Sequence, residues 1–180
     1  MFKPDQLQWL ETLPLEPIEF WRGWDLASTV GGDYTVGAKI GKAQDGRFII
    51  ADIVRIRAGT HERDAAILNT AAMDGRSVKI SIPRDPGAAG VSQCLYLTKQ
   101  LAGYSVVNTP ESGDKITRAS PFSAQVNVGN VAILRGAWNR DLLNEMANFP
   151  NSTHDDQIDA MSRSFSHLIE KSRVVISNDT

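Results

Sequence analysis

Cysteine is almost missing from this chain of 180 residues, which has only Cys94. It lies in an apolar stretch without a partner, so neither a disulfide framework nor a cysteine-based zinc site can be built. A reducing cytoplasm suits such a composition. No apolar run approaches the ~20 residues that span a bilayer, and the start, MFKPDQLQWLE, lacks the basic and apolar regions of a signal peptide. The expectation is a soluble, unexported protein with no membrane partner. An excess of positive charge is missing too: 19 Lys and Arg against 21 Asp and Glu leave a formal net charge of −2. That argues against a generic DNA-coating protein, whose affinity comes from cations neutralising phosphates. It leaves room for an enzyme acting on nucleic acid, because carboxylates gathered around divalent cations make a working site far less negative than the formal count. Internal repeats and low-complexity segments are likewise absent.

What is present suffices for one sizeable core, since 42% of the residues are hydrophobic and the length is that of a single domain. Residues 1–17, punctuated by Pro4, Pro14 and Pro17, read as a linker or docking arm ahead of a domain over 18–173, with 174–180 as a tail. The run IEFWRGWDLA (18–27) is a strand that ends at Ser28, Thr29 and the Gly31-Gly32 pair. YTVGAKIGKA and GRFIIADIVRIR are two more strands, joined by the hairpin signal Asp45-Gly46. Periodicity then changes to a helix over Thr60–Met73, stopped by Asp74-Gly75. SVKISIP is a short buried strand, Ala88 to Ala102 a helix with Gly103 at its C-terminal end, and YSVVNTP another strand. A helix from Lys115, the strand VAILRG, and helices over Asn139–Asn148 and from Thr153 to about Lys171 follow. Leading strands with helices added late fit a ribonuclease-H-like α/β fold better than a doubly wound sheet, which alternates from its start. The expected architecture is a mixed central sheet with three leading antiparallel strands and flanking helices.

Acidic residues fall at the ends of these elements: Asp25 after the first strand, Asp85 after the fourth, and Asp156 with Asp159 on the last helix. Three apart on a helix, Asp156 and Asp159 share a face, while Ile158 and Met161 serve the core. All-oxygen carboxylate sites suit Mg²⁺ or Mn²⁺, and two such ions about 3.5–4 Å apart activate water and stabilise a leaving 3′ oxygen. Each aspartate also has an ordinary explanation. Asp25 and Asp85 fit Asx turns, Asp155 and Asp156 favour a helix N-terminus, and Thr153 with Asp156 resembles a capping box. Trp21, Trp24 and Trp138 read as core or interface aromatics, since no basic residues interleave them as in a single-strand groove.

The motifs WDLAST with GGDYT, IPRDPGAAG, GDKITRA and FPNSTHDDQIDAMSRS, in this order over about residues 18–170, resemble the C-terminal nuclease domain of phage terminase large subunits. The resemblance implies a ribonuclease-H-like fold related to Holliday-junction resolvases, with two Mg²⁺ or Mn²⁺ ions held by Asp25, Asp85 and Asp156, with or without Asp159. It implies a metal-dependent endonuclease that cleaves concatemeric viral DNA during genome packaging, in the host cell cytoplasm. Asp33 is an expected outer carboxylate, as good a strand start as a water holder, and Asp155 orients ligands or caps the helix. His154 reads as a capping or surface residue. Lys115 and Arg118, three apart on a helix that the resemblance places near DNA, are candidates to neutralise phosphates, and Arg140 is a third basic candidate.

No GxxxxGK[ST] occurs. The nearest imitation, Gly37 to Ala43, has the wrong spacing and no Ser or Thr to hold Mg²⁺, so the packaging ATPase is expected on another stretch or another polypeptide. The partners that the resemblance implies are double-stranded DNA, that ATPase, the small terminase subunit and the portal. A resolvase or ribonuclease H on the same fold, and a non-catalytic docking module of the packaging motor, are the competing readings.

Overall fold

The computed structural model describes residues 1–27 and 32–174, with side chains as far as residue 170. After a 3₁₀ turn at Pro4–Gln6 and a short strand β1 (Gln8–Leu10), the strands β2 (Glu19–Asp25), β3 (Thr35–Lys42) and β4 (Phe48–Ile56) form an antiparallel meander. Helix α1 (Thr60–Asp74), β5 (Lys79–Pro83), α2 (Ala88–Gln100), β6 (Val106–Thr109), α3 (Lys115–Asn127), β7 (Val131–Leu134), α4 (Asn139–Asn148) and α5 (Asp156–Val174) follow. The sheet has the order β1-β7-β4-β3-β2-β5-β6. Its meander is flanked by parallel β5 and β6 on one side and by parallel β7 and β1 on the other. This is the mixed sheet with three leading antiparallel strands that the sequence predicts. The turn expected at Ser28, Thr29 and Gly31, and the tail beyond 174, lie outside the described residues.

The stretch 1–17, read from sequence as a linker or docking arm, lies against the sheet. β1 pairs with β7, Gln8 opposite Ala132, and Phe2 and Leu7 are buried in the main core. The Phe2 ring meets Phe122 and Phe149 edge-on.

Alternation along β2 decides which side of the sheet each of its groups meets. Trp24 belongs to the core under α1 and α2, with Ile67, Leu97 and Leu101. Trp21 belongs to the core under α3, α4 and α5, with Phe122, Leu142 and Phe165. Asp25, two pairs of residues beyond Trp21, therefore faces the α5 side. Gly23 shares that side and lets α5 come unusually close. Ser164 Oγ accepts a hydrogen bond from Gly23 N at 2.6 Å and donates to Ala38 O at 2.7 Å, which ties α5 to β2 and β3 together. A Cβ on Gly23 would lie 2.7 Å from Ala160 O and 2.6 Å from Ser164 Oγ, closer than any real Cβ contact.

The opposite side of the same strand carries a paired charge. Arg22, 2% exposed, donates to Asp74 at 2.8 and 2.9 Å and to Asp52 at 2.8 Å, while Lys39 reaches Asp74 at 2.8 Å. Burial pushes the Asp74 carboxyl up, but Arg22 and Lys39 outweigh it and hold the group below its ordinary range. Buried ions are tolerated when geometry and hydrogen bonding satisfy them in this way.

Because backbone and a short side chain bound the space at Gly23, Gly23→Ala is expected to push α5 away from β2. Overpacking of this kind costs about 1–3 kcal/mol, read by urea unfolding. A loss within experimental error would mean that α5 does not sit this close to the strand.

Candidate active site

Asp25 ends β2 on the α5 side, and α5 begins just above it with Asp156 and Asp159. The loop after β6 adds Glu111, the start of α3 adds Lys115 and Arg118, and Asp33 and Tyr34 come from the residues before β3. These residues, with Thr153 and Asp155, line one open depression. Tyr34 N donates to Asp156 Oδ2 at 3.4 Å. Asp33, His154 and Asp156 each offer a ligand atom within 4.8 Å of the other two. The edge of the His154 ring meets Tyr34, whose face is covered by the guanidinium of Arg55 at 3.7 Å and that of Arg57 at 4.3 Å.

The depression holds more negative charge than its own cations neutralise. Burial first, then the charges of Asp159, Glu111 and Asp156, push the Asp25 carboxyl up to about 8. Burial also raises Asp156, with Asp33 and Asp155 adding to it. Asp159 is raised by burial as well, although Arg118 pulls the other way. A desolvated carboxylate among like charges keeps its proton to higher pH, and a cation beside it favours the ionised form. The donors are nearly all carboxylate oxygens, the set that suits a hard divalent ion, and the residues present therefore fit a Mg²⁺ or Mn²⁺ centre.

Lys115 and Arg118 do share a helix face, as their spacing predicts. Both are engaged with the acids: Lys115 Nζ donates to both Asp155 oxygens at 2.6 Å, and Arg118 donates to Asp159 Oδ1 at 2.7 Å. Asp114 caps their helix by accepting from Thr117 N at 2.9 Å.

Of the residues singled out in the sequence, Asp25, Asp156, Asp159, Asp33, Asp155, Lys115 and Arg118 come together here. Asp85 does not. It is exposed on the loop after β5 and lines a neighbouring depression with His61, Arg63, Asp64 and Gln93, joined to the first through Leu26 and Ala27. Pro83 is the last strand residue and Gly87 has φ +99°, so the chain turns before the strand's alternation can aim Asp85 at Asp25. Its Cβ instead lies against Gly90 at the start of α2. Arg140 is exposed on α4, outside the depression.

Glu111 was not singled out in the sequence, where it reads as part of a polar loop. Arg163 holds it at 2.8 Å, and Arg118 lies 3.5 Å from its other oxygen. The available signal was its position two residues beyond a strand, the same placement that drew attention to Asp85. His154, read as a capping or surface residue, stands 3.8 Å from Asp156 and 4.0 Å from Asp33. Trp21 and Trp24 are buried, and Trp138 packs against the main core.

The sequence profile of the terminase RNase H-like domain family matches residues 22–168. Solved structures share the fold. The large terminase nuclease of thermophilic phage G20c with bound zinc superposes with a TM-score of 0.67 at 20% identity, covering 90% of this chain and 94% of that one. The human cytomegalovirus terminase nuclease domain, manganese-soaked and inhibitor-bound, gives 0.65 at 16% identity, over 88% and 85% of the two chains. The fowlpox virus Holliday junction resolvase gives 0.51 at 12% identity, over 85% of this chain and 99% of that one. No curated protein sequence matches the chain significantly.

In metal-free buffer the raised Asp25 group has a defined consequence. Its folded value of about 8 lies above the ordinary 3.8. Its contribution to stability is therefore fully present below the unfolded value and is lost as pH rises through the folded one. Asp25→Asn, which cannot ionise, is expected to melt higher than the parent at pH 9 in EDTA, with the gap closing towards pH 4. Parallel melting curves across that range would show that the carboxyl is not strained.

Proposed function

The chain belongs to the terminase RNase H-like domain family, and from that membership we propose that it is a divalent-metal-dependent endonuclease of viral genome packaging. Its substrate on this reading is concatemeric double-stranded viral DNA, cut in the host cell cytoplasm. The carrying observation is the charge deficit of the depression, in which Asp25 is held near 8 by burial and by the carboxylates around it. Neighbours of the same fold carry manganese, zinc or magnesium in their solved forms.

Asp25, Asp156 and Asp159 are the residues that would hold the ions, with Glu111 beside them. Two ions there would supply an activated water and stabilise the leaving 3′ oxygen of a phosphodiester. The rest is done by the chain. Asp25 is fixed by β2 and the aspartate pair by α5, so the ligands sit on rigid elements rather than on loops. Lys115 and Arg118 stand at the rim, where a phosphate arriving with its own cations can take the place of Asp155 and Asp159 as their partner. Asp33 and His154 extend the donor set beside Asp156. The packaging ATPase, the small terminase subunit and the portal are the partners this reading carries with it.

The protein is expected to nick or degrade duplex DNA with little sequence preference in Mn²⁺ or Mg²⁺, and EDTA or Asp25→Asn to abolish it. Cleavage that survives chelation would refute the metal mechanism. Preference for four-way junctions over linear duplex in the same assay would favour the resolvase reading instead. Glu111→Gln and Asp85→Asn separate the two assignments of the remaining carboxylate. The observed geometry leads us to expect Glu111→Gln to weaken Mn²⁺ binding roughly tenfold or more and Asp85→Asn to leave it unchanged; the reverse would mean that the Arg84–Gly87 loop swings Asp85 in when metal enters.

DNA affinity is expected to be low and steeply salt-dependent, given the net charge of −2. Each phosphate contact contributes about 0.9 to the slope of log affinity against log salt, so Lys115→Ala should flatten that slope by about one. An unchanged slope and cleavage rate in the Lys115→Ala, Arg118→Ala double variant would remove both residues from the DNA path.

A further inference from the structure

The first turn of α5 carries Asp156 and Asp159, yet its cap comes from another helix. Glu145, on the last turns of α4 and 5% exposed, points its carboxylate at the start of α5. Its Oε1 accepts from Gln157 N at 2.9 Å and from Ile158 N at 3.1 Å, and its Oε2 accepts from Gln157 Nε2 at 2.6 Å. Opening-turn amides have no partner within their own helix, and a carboxylate is the strongest acceptor for them because it also meets the positive end of the helix dipole. The two amides it holds lie between Asp156 and Asp159 in the chain. No hydrogen bond joins Thr153 and Asp156 as their capping-box spacing suggests, among the described residues; Asp159 N makes an ordinary helical bond to Asp155 O at 3.0 Å.

We propose that Glu145 is a positioning residue for the metal centre: by capping α5 from α4 it fixes the turn that presents Asp156 and Asp159, and so sets the affinity for the ions. The inference rests on the metal-dependent reading above. Glu145 itself lines a different depression from Asp25 and Glu111, so it acts through the helix backbone and not as a ligand. Tyr34 and Arg118 reach the side chains of Asp156 and Asp159, and Ser164, two turns on, anchors the helix to the sheet, but the opening amides of Gln157 and Ile158 are held by Glu145.

The side-chain amide beside it predicts which substitution is tolerated. Gln157 is 1% exposed and its Oε1 has no hydrogen-bond partner. In Glu145→Gln the new carbonyl oxygen still accepts both backbone amides, and its NH₂ gains an acceptor once the Gln157 amide turns over. Glu145→Leu keeps the bulk and removes every acceptor. Glu145→Asp keeps the charge but withdraws the acceptor by one methylene.

The test compares the parent with these variants in the full chain, by Mn²⁺ titration and by amide hydrogen exchange at Gln157 and Ile158. Outer groups that orient metal ligands are commonly worth 10–100-fold in metal affinity. Glu145→Leu and Glu145→Asp are expected to lose about tenfold in Mn²⁺ affinity and to exchange those two amides faster, whereas Glu145→Gln stays within about twofold of the parent in both. A purely structural role would lower melting temperature without moving Mn²⁺ affinity, and that result overturns the proposal. So does a Glu145→Gln variant as impaired as Glu145→Leu. Should Glu145→Leu fail to fold, Glu145→Asp against Glu145→Gln carries the same comparison. If the parent binds no Mn²⁺, the nuclease reading falls, and unprotected amides in Glu145→Asp then still show that Glu145 holds the turn.

Discussion

The whole arrangement depends on how closely α5 can lie on β2 and β3. A helix packs on a sheet at a distance set by the side chains between them, and here that layer is almost removed: Gly23 on the strand, Ala160 and Ser164 on the helix. The residues lie one helical turn apart, so the contact runs along the helix from its start. Asp156 belongs to the same row, four residues before Ala160, and Asp25 is two residues beyond Gly23 on the same side of the strand. The small residues that close the gap thus also bring the carboxylates into one depression. A larger side chain at Gly23 would act on the site without touching it.

Close approach concentrates charge, and the concentration is left uncompensated on one side of the sheet. On the side of α1, Asp74 is buried but matched by Arg22 and Lys39, and its carboxyl is held low. On the side of α5, Asp25 is half-buried without a cation in hydrogen-bond contact among the described residues, and desolvation and the neighbouring acids drive it up. Arg22 and Asp25 are three residues apart on one strand and point to opposite sides. The same residue type, comparably withdrawn from water, is satisfied by the protein in one place and left wanting in the other. Desolvated like charges of this sort repel one another, and a bound cation would offset that cost.

Much of this was legible in the sequence because it follows from local periodicity. The meander, the helices from Thr60, Lys115 and Asn139, and the shared face of Asp156 and Asp159 all come from spacings of two, three or four residues. What was not legible depends on contacts between distant segments. Gln8–Leu10 is too short to show alternation and becomes a strand only because β7 offers an edge. Glu111 sits in a loop whose direction is set by the long-range bonds from Arg163 to Thr109 and Glu111. Asp85 shows the converse, for its position after a buried strand was legible while its direction is set by the turn through Arg84 to Gly87, which no periodicity describes. The cap of α5 misled for a related reason: Thr153 and Asp156 have the spacing of a local box, but Glu145 reaches the amides from another helix and takes their place.

These long-range bonds divide the carboxylates into two kinds with different duties. Glu145 accepts from two backbone amides and one side-chain amide, which leaves it little to offer a metal, although burial still pushes its carboxyl up to about 7. Asp25 has nearby acids in place of donors, and so has everything left to offer. Asp159 stands between them, with Arg118 as its present partner at 2.7 Å. A divalent ion at this site would therefore compete with a guanidinium for Asp159, and would meet no hydrogen-bonded cation at Asp25 among the described residues. On the proposed reading a cation at Asp159 would free Arg118 for a phosphate, so ion and substrate would draw on the same side chain.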